Sequence, residues 1–308
     1  MKPHQIRNSL LLLLTAIIWG TSFVAQSVAM DYIKPFTFNG IRFTIGGIIL
    51  LPFIALLERK KRKEPENNAE TKQERKQLLV GGICCGVLLM IASTFQQFGV
   101  TGTSVGKAAF ITALYIVLVP LFGIFFHKKA GMQLWISVAV AILGLYLLCI
   151  KEDSFSVNGY DLVLLFCAIT FALHILCVDY FSPKVDSVKL SCIQFFVCGG
   201  LSLVGMIITE RPNMAEILAA YQPILYAGVM SCGVAYTLQV VGQKDLNPVI
   251  ASLIMSLESV VSALSGWLIL GQILTGRETI GCVVMFLAII LAQVPLKWKK
   301  KKQVAENN

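Results

Sequence analysis

The chain has 308 residues, of which 56% are apolar and only 14% charged, with a mean hydropathy of +0.75 and a formal net charge of +9. Soluble domains carry about 25% charged residues, so this much apolar surface does not fit inside one soluble core, and lipid is the physical solvent for it. The positive charge sits in short segments between apolar runs rather than on a basic face with interleaved aromatics, which argues against nucleic-acid binding.

Ten apolar runs of roughly 20 residues, the length that crosses a bilayer, follow one another at 9–29, 35–57, 78–98, 104–126, 132–150, 160–181, 187–209, 222–243, 247–271 and 276–296. Lys2 and Arg7 precede the first run as in a signal peptide, but the run is too long for one and many more follow, so it is read as a retained span. The longest connection, Glu58 to Gln77, is almost wholly polar and is expected to be dispensable for function. Nine Cys all fall inside apolar runs, without metal-type or haem-type spacing, and are read as small hydrophobes. No cofactor, metal or ATP-binding motif is present in the sequence.

Lys and Arg alternate sharply between the two sides of these spans. Twenty lie on one side, in the segments around Lys2, Arg59, Lys128, Lys184, Lys244 and Lys297; four lie on the other, Lys34, Lys151, Arg211 and Arg277. The positive-inside rule then places both termini in the cytoplasm. The expected fold is all-α and integral to the membrane.

The two halves resemble each other. An offset of 143 aligns Gln96 with Gln239, Gly99 with Gly242, Ala108 with Ala251 and Leu114 with Leu257; an offset of 152 aligns Trp19 with Phe171 and Phe43 with Phe195. Residues 1–150 and 151–308 therefore read as two five-helix repeats. Five is odd, so the second copy inserts upside down, the arrangement of many secondary transporters with a site near the midplane.

Glu258 is the most informative residue. It lies about 16 Å into span 9 at 1.5 Å per residue, where a charge costs at least about 2.5–3.5 kcal/mol. Ala251, Ser252, Ser259, Ser262 and Ser265 share its side of the helix, opposite an apolar face. It is either a hydrogen-bonded interhelical residue or a group for substrate binding and proton coupling. Asn247-Pro248 opens the helix by capping. Arg42, about seven residues into span 2, is read as snorkelling towards the outer headgroups, as a structural pair, or as a substrate or gating residue. Trp19, Tyr115, Tyr236 and His174 lie deep, as packing residues or as a cavity lining. Pro120 is expected to kink span 4. Gly82 and Gly86, and Ala227, Ser231 and Ala235, have the small-residue spacing of close helix contacts. Gly102-Thr103-Ser104-Val105-Gly106 matches a nucleophile motif, but it lies in a turn between membrane helices and lacks the strand–turn–helix context.

Ile18-Trp19-Gly20-Thr21-Ser22-Phe23, Arg42, the run Gly106 to Tyr115 leading to Val119-Pro120, and Leu257-Glu258-Ser259-Val260 with Leu270-Gly271-Gln272 together resemble the drug/metabolite transporter superfamily in its EamA-type ten-span form. The resemblance covers about 9–296. Ser259 and Gln272 depart from the Glu-Pro-Val and Leu-Gly-Glu common in the family, and the missing Pro leaves a kink in span 9 open. The resemblance implies a cavity lined by spans 1, 3, 4, 6, 8 and 9, with spans 5 and 10 peripheral and Trp19, Tyr115, His174, Tyr236 and Glu258 near it. The expected activity is secondary transport, export rather than import, of a small metabolite, an amino acid or similar or a drug-like solute, across the cytoplasmic membrane by alternating access. A lipid or lipid-linked sugar flippase and, distantly, an intramembrane serine protease using Ser104 and His174 are the alternatives. The expected partners are a small-molecule substrate and membrane lipids.

Overall fold

The computed structural model describes residues 3–61, 71–103, 105–125, 131–149, 158–270 and 275–293. Among these, all regular structure is helical. In the first half, α1 (Pro3–Ala29), α2 (Pro35–Lys61), α3 (Lys72–Val100), the pair α4 (Val105–Ala113) and α5 (Tyr115–Phe125), and α6 (Met132–Cys149) form five layers of chain. The second half repeats the order with α7 (Gly159–Phe181), α8 (Ser187–Thr209), then α9 (Met214–Ala219), α10 (Tyr221–Tyr226), a π-helical segment (Ala227–Tyr236) and α11 (Thr237–Gln243), followed by α12 (Pro248–Met255) with α13 (Glu258–Leu270), and α14 (Gly276–Gln293). Eight helical stretches are long and apolar enough to cross a membrane, and two shorter apolar ones, Met132–Leu147 and Thr279–Ala292, complete the predicted order. The molecule is an all-α membrane protein whose two halves repeat one order of helices.

Local chemistry sets the helix ends. Thr71 and Glu74 form a reciprocal capping box at α3, so that α2 and α3 both run into the polar connection expected between residues 58 and 77. Asn158 with Asp161 does the same for α7, and Asn247 caps α12 ahead of Pro248. At the far end of the molecule Glu210, which closes α8, accepts hydrogen bonds from the backbone N–H groups of Phe36 and Thr37 and from the Thr37 hydroxyl. A carboxylate from the second half thus neutralises the exposed N–H groups at the start of α2.

Small residues let the helices approach. Gly82 and Gly86 lie against Ile193 and Val197 of α8, as their spacing predicts. Gly46 and Gly228 bring α2 and the π-helical segment together. Spans 5 and 10, α6 and α14, pack on each other through Gly144 and Met285 and take no part in the central cavity described below.

One predicted detail needs correction, and one left open is answered. Span 4 does break, but at Leu114 rather than at Pro120, which stays inside α5. Span 9 also breaks, at Ser256–Leu257, without the Pro the family pattern carries there. The two breaks are equivalent: adding 143 to Val105 and Tyr115, the first residues of α4 and α5, gives Pro248 and Glu258, the first residues of α12 and α13. The nucleophile motif's Ser104 and the basic tail from Lys297 lie outside the described residues.

Candidate functional site

The two broken helices meet at the centre of the molecule. Tyr115 opens α5 and Glu258 opens α13, and the Tyr115 hydroxyl donates to Glu258 Oε1 at 3.1 Å. Because the two positions are equivalent under the repeat, their hydrogen bond sits where the pseudo-twofold axis passes. Ser259 Oγ reaches the Ala109 carbonyl of α4 at 3.4 Å, a second tie between the breaks. Gly20 of α1 makes this junction accessible: a Cβ there would lie 2.5 Å from Val261 Cβ and 2.7 Å from the Glu258 carbonyl oxygen. The glycine beside Trp19 is therefore what lets α1 lie directly on the start of α13.

A cavity of about 30 Å³, room for a water or two, opens at this junction. Its walls follow the repeat. Trp19 and Phe23 of α1 pair with Phe171 and Ile175 of α7 under the offset of 152; Gln96, Thr112 and Tyr115 pair with Gln239, Met255 and Glu258 under the offset of 143. Spans 1, 3, 4, 6, 8 and 9 all contribute, as the family resemblance implies, and span 2 adds Arg42.

The charged groups break the symmetry. Glu258, 4% exposed, comes from the second half only, since its equivalent is Tyr115. Arg42 comes from the first half only; its equivalent under the offset of 152 is Gln194. Arg42 is 1% exposed, which corrects the expectation that it snorkels to the headgroups. Its Nε donates to Asn39 Oδ1 at 3.0 Å, and its guanidinium carbon lies 4.8 Å from the ring centroids of both Phe38 and Phe43. That aromatic clamp offsets part of the cost of burying the charge. Arg42 Nη2 has no hydrogen-bond partner among the described residues, nor do the cavity-lining Trp19 Nε1, Gln26 Oε1 and Gln239 Oε1.

Tyr236 is the aromatic hub. Its ring centroid lies 4.6 Å from that of Trp19, 5.8 Å from Phe43, 6.2 Å from Phe195 and 6.4 Å from His174. Ser231 and Tyr236 both line the cavity although they are five residues apart. In an α-helix that spacing turns side chains about 140° from each other; the i→i+5 bonding of a π-helix brings them onto one face. The π-helical segment, read from sequence as ordinary helix, is thus what aims both side chains inward.

Of the six residues singled out from sequence, Trp19, Arg42, Tyr115, Tyr236 and Glu258 surround one cavity. His174 stands behind Tyr236, fully buried, with Nε2 3.0 Å from Gln194 Oε1. Sequence reasoning passed over Gln26, Thr112 and Phe171 as cavity residues. The offset of 152 already pairs Phe171 with Trp19, so the repeat carried a signal for that one; Gln26 had none beyond being a polar residue in an apolar helix.

Among curated proteins the chain is similar to an uncharacterised transporter of Archaeoglobus fulgidus, 28% identical over 92% of this chain and 84% of that protein. It is also similar to a probable amino-acid metabolite efflux pump of Escherichia coli K12, 24% identical over 97% of this chain and 98% of the relative. A solved crystal structure superposes with a TM-score of 0.73 at 17% identity, over 92% of this chain and 96% of its own, a likeness of fold. The model of the EamA-like transporter family matches residues 7–150 and, a second time, 158–293. The chain is a multi-pass membrane transporter, not an enzyme, and belongs to the EamA-like transporter family.

Proposed function

We propose that the protein is a secondary carrier that exports a small metabolite, an amino acid or a close relative of one, by alternating access between its two halves. Residues 1–150 and 151–308 act as the two rocking units, and both termini face the cytoplasm. The observation that carries this reading is the cavity at the meeting of the two broken helices, walled by equivalent residues from both halves and crossed on its axis by the Tyr115–Glu258 hydrogen bond. Broken helices at the bilayer midplane are where carriers of inverted-repeat design hold their cargo. The cavity has room for a water or two, so in this reading cargo is admitted when helices part, the motion that alternating access supplies. The efflux role given to the Escherichia coli relative supports the direction and the cargo class.

In this reading Trp19 and Tyr236 bear on the cargo's apolar part, and Arg42 and Glu258 on its polar ends. His174 holds Tyr236 from behind. Glu258 also exchanges the coupling proton: when the cavity faces one side its carboxyl loses the proton, and when it faces the other it regains it, so that each proton moved biases the conformational equilibrium. Purified protein in proteoliposomes, loaded with labelled amino acids and related metabolites, tests the reading. Efflux that a pH gradient accelerates is expected. Vesicles that leak no labelled solute faster than protein-free controls would refute it.

A further inference from the structure

We infer that Arg42 reads an acid group on the cargo while Glu258 takes a donor or cationic group at the other end, so that the carrier selects small zwitterions over amines and over simple acids. This rests on the carrier reading above and assigns its specificity to two residues. Four observations support it.

First, Arg42 is a fully buried guanidinium whose hydrogen bond runs to a neutral amide, Asn39, and no carboxylate pairs with it among the described residues. A buried charge left without a counter-ion is costly, and a bidentate oxyanion is the partner its planar fork matches. Second, Arg42 Nη2 is an unsatisfied donor on a residue that lines the cavity. Third, Phe38 and Phe43 flank the guanidinium, each 4.8 Å away. They restrict it to a plane without neutralising it, which keeps the fork preorganised for a planar acid group. Fourth, the opposite charge in the same cavity, Glu258, is engaged only by a neutral tyrosine hydroxyl. The two charges break an otherwise repeated wall. One stands where the other half has Gln194, the other where it has Tyr115. Glu258 lies about 16 Å from one end of its span and Arg42 about 10 Å from the opposite end of its own, at 1.5 Å per residue; in a core of about 30 Å that leaves roughly 4 Å of depth between them. A compact solute with an ammonium and a carboxylate on one carbon spans such a gap.

The shared chemistry at Arg42 is an oxyanion of carboxylate size; a carboxylate or a sulfonate satisfies it, and the assay includes both. Thermal stability of the purified full-length protein in detergent is measured with matched solutes: phenylalanine and leucine, their amides, their deaminated acids, and taurine. The same solutes are then offered as counterflow partners in proteoliposomes. The free amino acids or taurine are expected to stabilise the protein, the amides at least ten-fold more weakly and the deaminated acids also weakly. Asn39→Ala, which frees the Arg42 fork, and Arg42→Lys are expected to weaken binding of the zwitterions five-fold or more; Arg42→Gln abolishes it, and Glu258→Gln erases the difference between amino acids and deaminated acids. If Arg42→Gln fails to fold, the acid-against-amide comparison on the unaltered protein decides alone. Equal stabilisation by the amides and the free amino acids, or none by any solute bearing an acid group, overturns the inference. Counterflow of amides at the same rate as acids would sink the Arg42 role and leave the carrier reading standing. Zwitterion binding without counterflow would do the reverse.

Discussion

The carboxyl of Glu258 is buried at the break in span 9, and the Tyr115 hydroxyl supplies it a direct donor at 3.1 Å. Both sequence readings of this residue, interhelical bond and cargo or proton site, are served by one geometry, since the bond to Tyr115 lines the cavity. A substitution separates them. Glu258→Gln retains shape and hydrogen bonding while removing titration, so it is expected to leave the protein folded, to keep passive exchange, and to lose accumulation driven by a pH gradient. Uptake into inside-out vesicles at several pH values measures this. An unchanged rate together with an unaltered pH profile in the variant would assign Glu258 to an interhelical hydrogen bond alone.

At the scale of elements, the helix breaks and the close approaches cooperate. Gly20 and Gly200 are both helical glycines, yet their surroundings differ. A Cβ on Gly20 would press on the Glu258 backbone carbonyl at 2.7 Å, which no rotamer relieves, whereas nothing lies within 4 Å of a Cβ on Gly200. Overpacking costs about 1–3 kcal/mol, while replacing an unencumbered helical glycine by alanine gains about 0.5–1 kcal/mol. Gly20→Val is therefore expected to lower the thermal unfolding midpoint and to slow transport by displacing α1 from the α13 start. Gly200→Ala is expected to raise the midpoint with transport intact. Unfolding curves of the two purified variants, followed by tryptophan fluorescence, check both signs. A Gly20→Val protein as stable and as active as the parent would mean that α1 does not rest on the break.

For the whole molecule, the alternation of twenty basic residues against four sets the expected orientation. Reporter fusions after residue 308 and within residues 153–158 are expected to give opposite signals, the first cytoplasmic. Matching signals would refute ten spans. The Glu210 clamp on the α2 N-terminus and the Asn8 amide's hydrogen bond to the Lys244 carbonyl join the two halves at opposite ends of the bundle. These contacts, like those from Thr15 to the Ala235 carbonyl and from Ser259 to the Ala109 carbonyl, tie a residue of one half to the backbone of the other and so oppose relative motion of the halves.

How much was legible differs by kind of information. Span number, the all-helical class, the repeat and the deep position of Glu258 follow from hydropathy and charge along the chain, because a bilayer imposes length and polarity on each segment separately. The small-residue contacts at Gly82 and Gly86 were likewise visible as spacing. Other features depend on what one segment meets in another. Sequence left Arg42 open between snorkelling, a structural pair and a substrate or gating role; Phe38, Phe43 and Asn39 hold it inside. The break in span 9 needs no proline: the N–H groups of Leu257, Ser259 and Val261 donate to the carbonyls of Ile254, Ser256 and Leu257 across it, and Ser259 and Glu258 tie it to span 4. The π-helical turn that aims Ser231 and Tyr236 together has no composition signature. Hydropathy determined that this chain is a ten-span inverted repeat; only tertiary packing decided that one arginine and one glutamate, unpaired with each other and contributed by opposite halves, face the same cavity, because burial of a charge is settled by its neighbours in space rather than by its neighbours in sequence.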